Sequence, residues 1–209
     1  MKADSKKPDF SLETAALSRG FQRVAGVDEA GCGPWAGPVV AGAVVLDARN
    51  KPAGLNDSKK LNEARREQLF EQILATADVG IGIVDVARID ELNILKATLA
   101  AMSEAVNALS VGPEFVLIDG NRCPELSCPT EAIVKGDSVS ESIAAASIVA
   151  KVTRDRIMRD AAETFPEYGF ERHKGYGTAQ HQEALRKLGP CPLHRSSFAP
   201  IRALLVMEH

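Results

Sequence analysis

The hydrophobic residues of the chain form short, β-prone runs that alternate with longer segments of helical spacing. The run from Val39 to Val45 is almost continuously apolar, which is typical of a strand buried on both faces. The pattern predicts five strands, at Arg23–Glu29, Pro38–Asp47, Val79–Val86, Glu114–Ile118 and Ala132–Lys135.

Apolar residues three and four positions apart predict helices between and after these strands. Leu69 and Ile73 share one helical face behind Asn62, a good N-cap, and Ser138-Val-Ser-Glu141 has the spacing of a capping box. An α/β fold follows from this alternation of strands and helices. The predicted helices are Phe10–Arg19, Asn62–Ala77, Asn93–Leu109, Ser138–Thr164, Thr178–Leu188 and Pro200–Val206.

The length and composition of the chain favour one domain. Its 209 residues, 45% of them hydrophobic, can bury one large core, and no linker or low-complexity tract interrupts them. We therefore expect a single domain over 1–209, with an N-terminal extension at 1–20 and a helical C-terminal part at about 165–209. No apolar stretch approaches the length that crosses a bilayer, so we expect a cytoplasmic protein without membrane contact.

The four cysteines are expected to be reduced thiols. They are too few for a disulfide framework in a chain of this length, and two of them, five residues apart, lack zinc-site spacing. The cysteines are Cys32, Cys123, Cys128 and Cys191.

The charge pattern alone does not identify a nucleic-acid-binding protein. The formal net charge is −3, but basic residues cluster at Lys151–Arg156, Arg172–Lys174 and His194–Arg195. These clusters are compatible with a phosphate-binding surface. Composition by itself favours ordinary mixed surface charge.

Four carboxylates follow three predicted strands. Asp28 and Glu29 end the first strand, Asp119 follows Phe115–Ile118, and Asp137 precedes the helix that begins at Ser138. Taken singly, Asp119 is more simply a turn residue and Asp137 a helix cap. Because strand ends meet at one edge of an α/β sheet, their joint placement predicts a cluster that needs one or two Mg²⁺ or Mn²⁺ ions.

Asp28 and Glu29 cannot both face one metal site on a regular strand, since neighbouring side chains point to opposite faces. Gly31 permits the strand to break after them. We therefore predict that Asp28 bridges the metal ions and that Glu29 contributes from the edge, through its side chain or its main-chain carbonyl.

The long predicted helix carries one polar stripe. Ser147, Lys151 and Arg154 fall at i, i+4 and i+7 among small and apolar residues. The stripe fits a helix that faces a phosphate groove, and it fits a solvent-facing helix equally well.

Taken together, seven ordered motifs resemble the bacterial ribonuclease HII family, the type 2 ribonucleases H. The resemblance runs from about Val24 to about Pro200. The motifs are Val24–Pro38, Asn56–Leu61, Asp90–Leu95, Leu117–Asn121, Val134–Ser138, Ala145–Asp155 and His173–Thr178.

This resemblance implies a ribonuclease H-like fold, with a mixed five-stranded sheet flanked by helices. It implies an endonuclease that cuts the RNA strand of RNA·DNA hybrids and cuts 5′ of single ribonucleotides embedded in duplex DNA. Asp28, Glu29, Asp119 and Asp137 would be its catalytic, metal-binding acids. Two ions would activate water and stabilise the departing oxygen, leaving 3′-hydroxyl and 5′-phosphate ends.

The same resemblance implies which residues bind the substrate. The backbone of the Gly-x-Gly turn, here Gly31, Cys32 and Gly33, and the ring of Tyr176 would recognise the 2′-hydroxyl. The candidate phosphate contacts are Lys59, Ser147, Lys151, His173 and Lys174.

Cys32 departs from the family pattern, which has arginine at the centre of this turn. The thiol cannot pair with a phosphate as a guanidinium can. We therefore expect weaker and less salt-sensitive substrate binding, with intact ribonucleotide selectivity.

Two alternatives remain at this point. A ribonuclease HIII-like hybrid nuclease would carry an extra N-terminal domain, for which the 23 residues before Val24 are too few. A non-catalytic nucleic-acid-binding module would not need all four acids. Because the C-terminal residues show no clear sliding-clamp motif, we expect a monomer.

Overall fold

A five-stranded mixed sheet forms the centre of the computed structural model, which describes residues 7–207. The strand order is β3-β2-β1-β4-β5. β1 pairs antiparallel with β2, which pairs antiparallel with β3, whereas β1 with β4 and β4 with β5 are parallel pairs. The strands are β1 Val24–Ala30, β2 Val39–Val45, β3 Asp78–Val84, β4 Phe115–Asp119 and β5 Thr130–Ile133.

The register of the parallel strands brings their carboxyl ends to one edge. Val27 lies opposite Ile118, and Asp119 lies opposite Ile133. Asp28, the next residue of β1 after Val27, therefore lies level with Asp119 at the end of β4, and the chain that leaves β5 reaches the same edge.

Helices cover both faces of the sheet. The predicted helices are confirmed to within a few residues, and the predicted mixed sheet is confirmed as well. The helices are α1 Ser11–Ser18, α2 Glu63–Thr76, α3 Val86–Leu92, α4 Ile94–Asn107, α5 Glu141–Thr164, α6 Phe170–His173, α7 Ala179–Leu188 and α8 Ala199–Met207.

Two glycines allow the helices to approach the sheet closely. A Cβ at Gly26 in β1 would lie 2.2 Å from the backbone of Ser142 in α5, and one at Gly82 in β3 would lie 2.0 Å from the carbonyl oxygen of Ala101 in α4. The two helices pack their small residues against the strands on opposite faces. This fixes α5 directly over the strand that carries Asp28.

The start of α5 differs from the prediction. Its N-cap is Ser140, whose side-chain oxygen accepts the N–H of Ile143, rather than Ser138. Ser138 instead ends a 3₁₀ turn at Gly136–Ser138, so Asp137 lies within this turn. A capping-box spacing does not distinguish two serines that both precede the helix.

Helix α3 was not predicted. Asp85 caps it by accepting the N–H of Arg88, and Asn93, with φ 72°, ends it and caps α4. Seven residues are too few to show a clear helical period. In residues 7–207, no helix is both long and apolar enough to cross a bilayer.

Elements α6 to α8 form the helical C-terminal part and pack on the outer half of α5. Met158 of α5 joins Tyr168, Phe170 and Ile201 in one apolar cluster. Ala36, from the loop after β1, belongs to the same cluster. The C-terminal part is thereby attached to the loop that follows Asp28 and Glu29.

Candidate active site

Three aspartates from neighbouring elements meet at the carboxyl edge of the parallel strands. Asp28 lies in β1, Asp119 ends β4, and Asp137 lies in the 3₁₀ turn after β5. One carboxylate oxygen from each residue lies within 4.8 Å of the other two. The structure therefore brings together three of the four predicted acids.

Main-chain amides hold two of these carboxylates in place. The N–H of Gly136 donates to Oδ1 of Asp119 at 2.6 Å, which ties the end of β4 to the turn that carries Asp137. The N–H of Glu29 donates to Oδ1 of Asp28 at 2.7 Å. Both carboxylates keep a second oxygen for another ligand.

The acids repel one another in a partly dry site. Burial raises the pKa of Asp28 well above its ordinary value, and the charges of Glu29 and Asp119 raise it further. Burial also raises the pKa of Asp137, with added repulsion from Asp57 and Asp119. A divalent cation would relieve this repulsion, and an all-oxygen donor set suits Mg²⁺ or Mn²⁺. The cluster thus fits a hard divalent metal.

Glu29 lies beside this cluster, next to α4. Its Oε1 is 3.7 Å from Sγ of Cys32, whose thiol donates to it. Burial raises the pKa of Glu29, and the charge of Asp119 adds to the effect. Strand β1 continues through Ala30 and breaks at Gly31, where φ is 103°. The edge role of Glu29 stays a prediction that this placement supports.

Cys32 turns its side chain toward α4. Its Sγ lies 3.1 Å from Oγ1 of Thr98. Burial raises the pKa of Cys32 to about 11, and the charge of Glu29 also raises it. The thiol is therefore protonated at neutral pH. All four cysteines are free in the structure, and their reduced state stays a prediction.

A cleft of about 270 Å³ next to Asp28 collects most of the predicted substrate-binding residues. The glycine turn, as we call Gly31–Gly33, forms one part of its lining. The side chains of Lys59, Lys151 and Tyr176 line the rest together with Glu29 and Arg154.

Tyr176 faces the glycine turn across this cleft. The residue is 48% exposed, and a Cβ at Gly33 would lie 3.7 Å from Cε1 of its ring. The backbone of Tyr176 is held from behind, because its N–H donates to the carbonyl of His173 and its carbonyl accepts from Nδ1 of His181. A rigid backbone thus presents an accessible ring.

Lys59 lies at the cleft, near the acids. Burial opposes its charge, but the nearby carboxylates of Asp28 and Asp137 outweigh this and raise the pKa of Lys59. The N–H of Lys59 donates to Oδ1 of Asp57 at 2.9 Å, which shapes the 3₁₀ turn Ser58–Lys60. Lys59 therefore places a positive charge at the cleft.

Ser147 supports this turn from below. It is only 2% exposed, and its hydroxyl donates to the carbonyl of Ala144 while accepting the N–H of Ser58 at 3.3 Å. In this structure it contacts protein on both sides. A direct contact between Ser147 and the substrate stays a prediction.

The polar stripe on α5 does not form one surface. Lys151 reaches the cleft and pairs with Asp155 at 2.7 Å. Arg154 is 1% exposed and donates to the carbonyls of Ala36, Pro38 and Lys174. The solvent-facing alternative for the stripe is therefore wrong for Arg154, which is buried at the lining of the cleft.

A buried group of histidines was missed by the sequence analysis. His173 and His181 stack with ring centroids 4.4 Å apart, and Nε2 of His181 lies 2.9 Å from Nε2 of His194. His173, predicted as a phosphate contact, is buried and bonds to the carbonyl of Tyr168. Arg195, which follows His194, is fully buried. The chain spacing of these residues gave no signal of their contact.

Comparison with known proteins supports a family assignment. A family model described as Ribonuclease HII matches residues 25–201. The Ribonuclease HII of Parvibaculum lavamentivorans is 54% identical over 97% of this chain and 77% of its own length. That of Rhizobium meliloti is 59% identical over 93% of this chain and 91% of its own.

Solved structures share the fold. The ribonuclease H2 of Pyrococcus horikoshii OT3 is 29% identical, with a TM-score of 0.76 over 89% of this chain and 98% of the other. Bst-RNase HIII, solved in complex with Mn²⁺, is 21% identical, with a TM-score of 0.72 over 88% of this chain and 70% of the other. The match to the family model and the identity to its members, together with the aspartate cluster, show that the chain belongs to the ribonuclease HII family of metal-dependent endonucleases.

Proposed function

We propose that the chain cleaves the RNA strand of RNA·DNA hybrids and incises 5′ of single ribonucleotides embedded in duplex DNA. The observation that carries this proposal is the position of the three aspartates beside a cleft that has the glycine turn on one side and Tyr176 on the other. The products would be 3′-hydroxyl and 5′-phosphate ends. We assign this activity to a single domain over 1–209; a monomeric state and a cytoplasmic location stay predictions from the sequence.

Asp28, Asp119 and Asp137 would hold two Mg²⁺ or Mn²⁺ ions, with Glu29 contributing from the α4 side. When bound, the ions would lower the pKa of a water that attacks phosphorus and stabilise the oxygen that leaves. The chain itself supplies no nucleophile in this scheme. Its acids would hold the positive ions in position. Main-chain N–H groups in turn keep the carboxylates of Asp28 and Asp119 in place.

Phosphate binding would fall to the two lysines of the cleft. Lys59 places a positive charge near the acids, and Lys151 lines the same cleft. Contacts of this kind position a nucleic acid without reading its sequence. Ser147 would act through the turn that it supports, since it is itself buried.

Selection for a ribonucleotide would fall to the glycine turn and Tyr176. A 2′-hydroxyl can donate and accept hydrogen bonds, so main-chain groups of the turn can recognise it. The ring of Tyr176, opposite Gly33, would pack against the sugar.

The test is cleavage of an end-labelled DNA duplex that contains one ribonucleotide, in Mg²⁺ or Mn²⁺. We expect one metal-dependent cut on the 5′ side of the ribonucleotide. The matched controls are the same duplex without the ribonucleotide and the Asp119→Asn protein, neither of which should give a product. An all-DNA duplex cut at the same rate would refute the proposed selectivity.

A further inference from the structure

Two buried arginines, one at the cleft and one behind it, have no carboxylate partner. Arg154 is 1% exposed and Arg195 is 0% exposed. Among residues 7–207, neither forms an ion pair. A buried charge is costly unless hydrogen bonds satisfy it, and here main-chain carbonyls provide the acceptors. Such an arrangement strongly constrains the backbone that supplies those carbonyls.

Arg195 binds two consecutive carbonyls of the glycine turn. Its Nη2 donates to the carbonyl of Gly31 at 2.7 Å, and its Nη1 donates to that of Cys32 at 3.3 Å. It also donates to the carbonyls of Gly37 and Pro38 in the next loop. One guanidinium therefore fixes the turn and the loop that follows it.

The planarity of the peptide group determines where the amides point. In a trans peptide, the C=O of one residue and the N–H of the next point in opposite directions. Because the carbonyls of Gly31 and Cys32 both face Arg195, the N–H groups of Cys32 and Gly33 both face away from it. Within the described part of the chain, neither N–H donates to a protein acceptor. Two adjacent amides aimed the same way can bind an oxygen ligand.

Arg154 sets the position of the opposite wall. Its Nε donates to the carbonyl of Pro38 at 2.9 Å and its Nη1 to that of Lys174 at 3.0 Å, two residues before Tyr176. A Cβ at Gly31 would lie 2.2 Å from Nε of Arg154, so this guanidinium packs directly against the glycine turn. It connects the turn to the loop that carries the tyrosine.

We propose that Arg195 is a positioning residue for ribonucleotide recognition, which directs the N–H groups of Cys32 and Gly33 toward an oxygen of the substrate, and that Arg154 holds Tyr176 opposite them. This inference rests on the proposed function. Neither arginine needs to touch the substrate. Their effect is on the geometry of the groups that do.

The test compares binding of two duplexes, identical except for one ribonucleotide, by the wild type and by Arg195→Lys. Lysine keeps the charge but cannot span the same set of carbonyls. We expect the ratio of the two Kd values to fall about tenfold, the effect of losing roughly one hydrogen bond. Mn²⁺ affinity, measured by calorimetry, should stay unchanged. Arg156→Lys is the matched control, because Arg156 lies on the same helix as Arg154 but pairs with Glu67 at the surface.

A purely structural role of Arg195 would lower the melting temperature or weaken the binding of both duplexes equally. A ratio of the two Kd values that stays at its wild-type value would therefore overturn the proposal. If Arg195→Lys does not fold, Arg154→Lys provides the same comparison, with the same fall in the ratio expected and the same unchanged ratio contradicting it. A wild-type protein that binds the two duplexes equally would instead refute the proposed function. The two failures are therefore distinguishable.

Discussion

Acidification is expected to destabilise the fold through the buried histidines. Nδ1 of His194 accepts the N–H of Cys191 at 2.9 Å, so its Nε2–H donates to Nε2 of His181. Nδ1–H of His181 then donates to the carbonyl of Tyr176 at 3.0 Å. This chain of hydrogen bonds requires both imidazoles to be neutral, because an added proton leaves two N–H groups facing each other or removes the acceptor for Cys191.

The magnitude follows from the shifted pKa values. Burial lowers the pKa of His181 and of His194 from 6.5 to about 4. The unfolded chain therefore binds protons between these values that the folded chain does not, and stability falls as the pH drops through this range. At a pH of about 5, linkage gives a loss of about 2 kcal/mol per imidazole relative to neutral pH.

The active-site acids change the stability of the fold with pH in the opposite direction. The pKa values of Asp28, Glu29 and Asp137 are raised in the folded protein, mainly by burial, so these groups add stability as the pH falls. The pH dependence of the wild type alone is thus a sum of opposing effects. A histidine variant keeps the same acids. The difference in unfolding free energy between variant and wild type therefore reports only the contribution of the replaced imidazole.

The assay is urea denaturation of wild type and His181→Phe at about pH 8 and about pH 5. The variant should be less stable at the higher pH, because the buried Nε2–H of His194 loses its acceptor and the carbonyl of Tyr176 loses one of its two donors. The difference from wild type should shrink by about 2 kcal/mol at the lower pH. His209→Gln, outside the described residues, is the control for a histidine change as such. Equal pH dependence in wild type and His181→Phe would refute the reasoning.

Three further predictions concern the cleft and its acids. Asp28→Asn should abolish Mn²⁺ binding in calorimetry, whereas Glu29→Gln should weaken cleavage and keep most of that binding, because Glu29 lies outside the three-aspartate cluster; equal losses would contradict this division. Cys32→Arg should tighten substrate binding and steepen its salt dependence by about one phosphate contact, as measured from Kd between low and moderate salt; an unchanged slope would count against it. Asp119→Asn should stop cleavage but retain hybrid binding in a gel-shift assay, since Lys59 and Lys151 remain, and loss of binding would show that the metal site is needed for it.

The sequence was sufficient to predict the layout of the sheet and of the acids. Val39–Val45 and the other strands are short apolar runs rich in β-branched residues, a pattern that favours strands over helices. Asp119 and Asp137 each follow a strand, and parallel pairing then brings them to Asp28. These features depend on local periodicity and on a general rule for strand ends, both of which are visible in one sequence.

The buried polar groups could not be predicted in the same way. The acceptors of Arg195 lie 157 to 164 residues earlier in the chain, so nothing local distinguishes it from a surface arginine. For Arg154 one weak signal was present: the face that it shares with Ala150 and Ser147 continues the small, apolar first half of the helix, although Lys151, Asp155 and Arg156 beside it are charged. A charged residue on such a helix needs an internal partner, and here that partner is the backbone of a turn with positive φ at Gly31.

The distribution of charge in the site implies an order of binding. The acidic cluster repels a phosphodiester as it repels its own members, and Lys59 supplies only one opposing charge. The glycine turn and Tyr176 carry no charge and can bind the sugar without a cation. Recognition of the ribonucleotide should therefore be separable from metal binding. Close approach of the scissile phosphate to the aspartates, in contrast, should require bound metal ions. On the proposed function, the turn that Arg195 holds would then select the substrate before any chemistry begins.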